Sequence, residues 1–402
     1  MTGSFGAHLR RTREQSGMSL GALATKINYS KSYLSKIEND LKPPTPDIAR
    51  RCDAVFGTAG LLSSLVGQSE AEPGAESRED GFDASPELPL AGRAAHPAAI
   101  DEPVLEGLRA AFDQFRHLGT ISTPGAVLGP VVAQLHVLRA AAHGQPEQVR
   151  RQVLLLASRA AEYVGWMSQE AGDEAAALWW THRAVAIAEE AEDRHFAGYA
   201  LVRQAEIAMY RQDPLTTIDL AMQAQAVRSA GTRIRGLAAR CEAQGRALVG
   251  DADGYHRALE RATNLLAERD PVVAGTPHLG SASVADEIAL SHGWSLYDLG
   301  RQAEAAEVLD AHVTGIAAGA RRARARFGAR RVLAHAGSGE IEHALALAPA
   351  VLEDARYVDS ATIRTDLREL AKVFARWHGH PGVRELRLEL ATLLRLKPRY
   401  TP

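Results

Sequence analysis

Leu9-Arg10-Arg11-Thr12-Arg13-Glu14-Gln15-Ser16-Gly17-Met18-Ser19, then Leu23-Ala24, and then Tyr33-Leu34-Ser35-Lys36-Ile37-Glu38-Asn39 form the stretch on which the fold turns. It reads as short helices joined by sharp turns. A helix over 5–16 ends at Gly17, because glycine accepts the left-handed backbone that follows a helix end. Ser19 is a suitable N-cap for a second helix, whose Leu20, Leu23, Ala24 and Ile27 fall at i, i+3, i+4 and i+7. Asn28-Tyr29 makes a turn, Ser30 caps a third helix over 31–39, and Leu34 and Ile37 face inward. Pro46 opens a fourth helix, where a missing N–H costs nothing, and Ile48, Cys52 and Val55 close a small core.

These residues, together with Pro43-Pro44, resemble the DNA-binding domains of the phage-repressor and Cro type, the XRE family, over nearly the whole of residues 1–66. The resemblance implies a helix-turn-helix of four to five helices whose third helix enters the major groove of double-stranded DNA. Lys31, Ser32, Ser35 and Lys36 are then the expected base contacts, since lysine reaches guanine O6 and N7 and serine both donates and accepts. Arg10, Lys26, Tyr33, Asn39 and Lys42 are the expected phosphate contacts. Arg13 and Glu38 occupy the positions of a family ion pair and are read as a structural brace. The family commonly carries Gln after the cap of helix two; here Leu20 stands there, so one backbone clamp is lost and dimerisation becomes the expected route to affinity.

Charge follows this division. Residues 1–66 carry nine Lys/Arg against five Asp/Glu, although the whole chain has a net charge of −3. Residues 67–100 hold two against seven and are rich in Gly, Pro and Ser, which reads as a flexible acidic tether. Two cysteines far apart, Cys52 and Cys241, exclude a disulfide framework or a cysteine zinc site. Residues 1–13 lack the apolar core of a signal, and no window approaches ~18 apolar residues. A cytoplasmic, nucleoid-associated protein with no membrane contact is expected.

Residues 101–402 show helical periods without strand alternation, so the fold class expected is all-α: a helix-turn-helix domain, a linker and an α-solenoid. Gly172-Asp173, Gly250-Asp251, Gly300 and Gly339 each fall between helical segments, and Gln212-Asp213-Pro214 lies midway in the longest interval. A period near 39 residues, with one longer interval, suggests stacked helix pairs. The best unit, 286–317, is expected to turn Ile288, His292, Leu296 and Leu299 to one face, and Ala305, Leu309, Val313 and Ile316 to another. Its Ala289, Gly293, Leu296, Gly300, Ala305 and Leu309 resemble the small and apolar positions of the tetratricopeptide repeat. Ala161, Gly165, Gly172, Ala177 and Ala184 repeat the pattern. The stretch 269–286 reads either as a lid or as a tolerated insertion.

A reader of this type joined to such repeats resembles bacterial regulators, among them actinobacterial and peptide-sensing ones. The resemblance implies a homodimer that takes a peptide, small-molecule or protein effector in its groove; an interaction scaffold localised by the DNA reader is the alternative. Arg203, Gln204, Arg240, Gln244 and His292 are the groove candidates, with Glu206 and Glu242 beside them. Asn264 is the sole asparagine after residue 100, so an asparagine peptide clamp is not evident. Trp179-Trp180 and Trp294 read as packing residues or as a cradle for an apolar ligand. Arg321, Arg322, Arg324, Arg326, Arg330 and Arg331 wrap around a helix axis, which suits a solvated or acid-paired face better than a second DNA contact. No phosphate loop, nucleophile elbow or zinc-helix motif occurs, so no enzyme, metal or cofactor is expected.

Overall fold

Short amphipathic helices with capped ends build the beginning of the chain. The structure, a computed structural model, describes residues 5–27, 31–39, 44, 46–56, 58, 62, 99–268, 279–280, 284 and 286–395. Every regular element among them is helical. The chain divides into two compact units, Met1–Arg93 and Ala94–Pro402. The expected tether lies outside the described residues except for its last two.

In the first unit, α1 (Phe5–Gln15), α2 (Leu20–Ile27), α3 (Lys31–Glu38) and α4 (Pro46–Phe56) enclose one core. Gly17 takes a φ of +62°, and the Met18 N–H reaches back to the Arg13 carbonyl at 3.1 Å. Ser19 Oγ then accepts the Ala22 N–H at 3.1 Å, satisfying one of the open donors of α2. Leu9, Leu23, Ile27, Leu34, Ile37, Ile48 and Cys52 are buried together, and Leu20 packs against them from the rim. The apolar residue that replaces the expected clamp therefore belongs to the core. Asp53 closes the chain after α4 by accepting the Leu62 N–H at 2.9 Å and the Thr58 hydroxyl.

The second unit begins with α5 (Glu102–Ile121), α6 (Gly125–Ala141), α7 (Glu147–Ala171), α8 (Glu174–Glu190), α9 (Phe196–Tyr210), α10 (Pro214–Ala226) and α11 (Thr232–Leu248). It continues with α12 (Ala252–Ala267), α13 (Glu287–Asp298), α14 (Gln302–Val313), α15 (Arg321–Ser338), α16 (Ile341–Val358), α17 (Ala361–Phe374) and α18 (Pro381–Arg395). Consecutive helices pack on one another, except that α16 and α17 each pack on α15 and α18 instead. The turns between paired helices share one geometry: Gly172, Gln212, Gly250, Gly300 and Gly339 have φ of +91°, +59°, +75°, +77° and +92°. After each, the next N–H bonds the carbonyl five residues back, from Asp173 to Ser168 at 2.9 Å and from Asp213 to Ala208 at 3.0 Å. Gln212 thus fills the place of glycine, which is why the glycines alone leave a double interval there.

Pairs approach closely where side chains are small. A Cβ on Gly293 would lie 2.7 Å from Leu309 Cγ, so α13 and α14 meet nearly backbone to side chain. The single-face reading of α13 needs correction. Leu290, Gly293, Trp294 and Leu296 are buried, whereas Ile288, His292 and Leu299 are half-buried. The helix packs against α11, α14 and α15, and a helix covered on several sides shows no single apolar stripe.

The stack curls until its late helices meet its first. Helix α15 packs against α5, and α17 against α7. Arg322 donates to the carbonyls of Gly119 at 2.8 Å and Ser122 at 2.7 Å, and to Glu170 at 2.7 Å. Glu170, wholly buried, also takes Arg326 at 2.5 Å, Ser360 at 2.6 Å and Thr362 at 2.9 Å. The remaining arginines of the run are paired as well: Arg321 and Arg324 with Asp354, Arg330 with Asp366, and Arg331 with Asp310. The run is acid-paired and works within the unit.

Candidate nucleic-acid interface and internal cavity

Helix α3 carries the expected readers. At about 100° per residue, positions 32, 35 and 36 fall on the side of α3 away from buried Leu34 and Ile37, and position 31 falls on the flank beside Leu34. The side chains of Lys31, Ser32, Tyr33 and Lys36 lie outside the described residues, as does all of Lys42. Ser35 is half-buried and Lys26, at the end of α2, is exposed.

What holds α3 at its angle is explicit. Arg13 Nε and Nη2 donate to both oxygens of Glu38, at 2.6 and 2.9 Å, and Nη1 donates to the Met18 carbonyl at 3.0 Å. Glu38 is 5% exposed, so the pair ties the end of α1 to the end of α3 from inside. The hydrogen bond that Arg13 donates to Glu38 pushes its guanidinium up, outweighing its partial burial. Arg10 and Asn39, two expected phosphate contacts, are brought together: Arg10 Nη2 donates to Asn39 Oδ1 at 2.5 Å. Asn39 Nδ2 in turn donates to the Ser35 carbonyl at 2.6 Å and finishes α3.

The second unit encloses a cavity of about 510 Å³. Its walls come from the inner helices α5, α7, α9, α11, α13 and α15, with Gly280 and Val284 at one side. On α7 the lining positions are Arg159, Glu162, Tyr163, Trp166 and Gln169, and on α9 they are Tyr199, Arg203, Glu206, Met209 and Tyr210. Both sets follow a single helix face. The volume falls within the usual range for small-molecule sites, and the lining joins seven aromatic side chains to ten charged ones.

Buried charges in the walls are arranged in order. Glu162, Arg203, Glu206, Arg240 and Glu287 alternate in one ladder from α7 through α9 and α11 to α13. Arg203 lies 3.3 Å from Glu162 and bonds Glu206; Arg240 lies 2.8 Å from Glu206 and 3.2 Å from Glu287. Burial pushes the Glu162 carboxyl up, against the pull of Arg203. Burial also opposes ionisation of Glu206, but Arg203 and Arg240 outweigh it and hold this carboxyl low.

Of the groove residues expected from sequence, Arg203 and Arg240 therefore line the cavity. Gln204, Gln244 and His292 are not among its lining residues. Gln244 is buried, and the His292 ring is hydrogen-bonded by the Tyr255 hydroxyl. Trp294 lines the cavity with the Arg330 guanidinium 3.9 Å over its ring, Trp180 is buried, and Trp179 is exposed. Sequence reading missed Glu162, Tyr163, Trp166 and Gln169. Their one-face spacing on a long helix was the available signal.

A family described as a helix-turn-helix domain matches residues 4–64. The first unit carries a helix-turn-helix domain, a fold whose work is reading DNA. No curated protein matches the chain. Among the described residues, no helix is long and apolar enough to cross a membrane.

Proposed function

We propose that the protein is a sequence-specific transcriptional regulator. Its phage-repressor-like first unit reads double-stranded DNA through α3, with Lys31, Ser32, Ser35 and Lys36 at the bases. Arg10, Lys26, Tyr33, Asn39 and Lys42 sit toward phosphates in this reading. The helical stack of the second unit, tetratricopeptide-like in its turns and small-residue contacts, dimerises the protein and receives an effector. The observation that carries the proposal is the helix-turn-helix match over 4–64 together with the Arg13–Glu38 pair that fixes α3. The stack supports a sensing role through its cavity, whose walls are shared among six helices, so that a bound molecule touches several repeats at once.

The test is a gel shift and footprint of the full chain on the DNA upstream of its own coding region, across a salt series. We expect a protected site of two half-sites. Lys31→Ala combined with Lys36→Ala should weaken binding by at least tenfold and flatten the salt dependence. Unchanged binding by the double variant would sink the assignment of α3.

A further inference from the structure

The turn between α15 and α16 gathers ionisable side chains from three helices. Gly339 takes a φ of +92°, and the Glu340 N–H returns to the His335 carbonyl at 2.9 Å. Glu340 is thereby folded back over His335, and its Oε2 meets His335 Nδ1 at 2.6 Å. His343, almost one helical turn further along α16, sets its ring edge-on against that of His335, the centroids 4.3 Å apart. From α14, Asp310 Oδ1 lies 3.0 Å from the other ring nitrogen, Nε2. One ligand atom from each of Asp310, His335 and His343 lies within 4.8 Å of the other two.

Both ring nitrogens of His335 thus face carboxylate oxygens, and the residue is 4% exposed. A neutral imidazole has a single N–H. With that proton on Nδ1, given to the nearer Glu340, Nε2 points a lone pair at Asp310, which is itself an acceptor. Two acceptors 3.0 Å apart need a cation between them. A proton satisfies that pair alone. His343 brings a third lone pair within reach of the same point, which a metal ion uses and a proton does not.

We propose that Asp310, His335 and His343 bind a divalent transition-metal ion of the zinc class. Glu340 stands behind His335 and fixes its tautomer, the usual arrangement for a ligating histidine. Bond lengths of about 2.0–2.2 Å put the ligand atoms of a tetrahedral zinc roughly 3.3–3.6 Å apart, within reach of small side-chain rotations here. His343 is exposed, which gives the ion an entry path and leaves a fourth position for water. Arg331 also donates to Asp310 Oδ1 and its charge opposes a cation. A carboxylate has about four acceptor sites, however, and Glu340 balances that guanidinium. The ligands come from α14, α15 and α16, so no local spacing announces them, and a bound ion ties the three helices together. The site stands whether or not the first unit reads DNA.

The experiment is calorimetric titration of the untagged full-length protein, stripped with a chelator and dialysed, with zinc chloride. Cobalt(II) in a parallel sample reports the coordination geometry by its visible absorption. We expect about one zinc per chain, the intense spectrum of four-coordinate cobalt, and a higher melting midpoint with zinc than without. His343→Ala, at an exposed position, should weaken zinc binding by about tenfold or more and remove the melting shift. His380→Ala, which removes the histidine paired with Glu342 of α16, should change neither. Far-UV dichroism establishes that each variant is folded, and the wild-type titration needs no variant. Equal uptake by His343→Ala marks an adventitious ion only and overturns the proposal. So does a loss in His380→Ala as large as that in His343→Ala, or no zinc uptake by the wild-type protein.

Discussion

Arg13 has three of its donors engaged inside the first unit, two by Glu38 and one by the Met18 carbonyl. Both residues were readable as partners because a family pattern puts them at fixed places in a local sequence. Gln212 was harder to read. It stands in a left-handed turn where its counterparts are Gly172, Gly250, Gly300 and Gly339. A side chain with a Cβ is strained there, and its amide carries no sequence signal for the turn. Gln212→Gly should therefore stabilise the second unit by about 1 kcal/mol, by removing that strain. Gly172→Ala should destabilise it by at least as much, since the new Cβ would also meet Ala361 Cβ at 3.3 Å. Urea unfolding followed by tryptophan fluorescence measures both, because Trp166, Trp179, Trp180, Trp294 and Trp377 all lie in the second unit. Equal stabilities would remove the backbone argument.

At the scale of elements, paired helices with glycine turns were legible, and their inward faces were not. An inner helix such as α7 alternates Arg159, Glu162, Trp166 and Gln169 on its lining face, which in isolation reads as an ordinary solvated stripe. Its flanks are covered by α6 and α8, but the partners of Glu170 in its last turn lie 152 to 192 residues away, on and just before α15 and α17. Glu170 shows the consequence. Burial opposes its ionisation, but Arg326 and Arg322 outweigh that and bring its carboxyl down to about 2, from an ordinary 4.5. A folded value below the unfolded one contributes stability above pH 4.5 and loses it as pH falls toward 2. We expect the tryptophan-monitored midpoint to drop across that window. Glu170→Gln should cost about 3–5 kcal/mol at pH 7, because it strands two buried guanidiniums, and should flatten the dependence below pH 4.5. A variant that keeps the full acid slope would transfer the effect to other carboxylates.

For the whole second unit, the decisive feature is that α15 and α17 return to α5 and α7. No local pattern announces this, since Arg322 and Gly119 are joined across some two hundred residues of intervening helix. An open stack of repeats unfolds as a sum of neighbouring interfaces and can fray from either end. Here the first and last pairs hold each other. Single-tryptophan variants retaining Trp166 or Trp377 should therefore report one urea midpoint, and Arg322→Met should separate it into two. Distinct midpoints in the unsubstituted background would show that the ends are independent. The same closure bears on how such a chain changes over generations. Duplicating a helix pair lengthens an open array without disturbing its ends, but here it would carry Arg322 away from Gly119 and Glu170. The number of pairs is thereby locked, and variation is confined to side chains on the inner faces and to insertions in the turns.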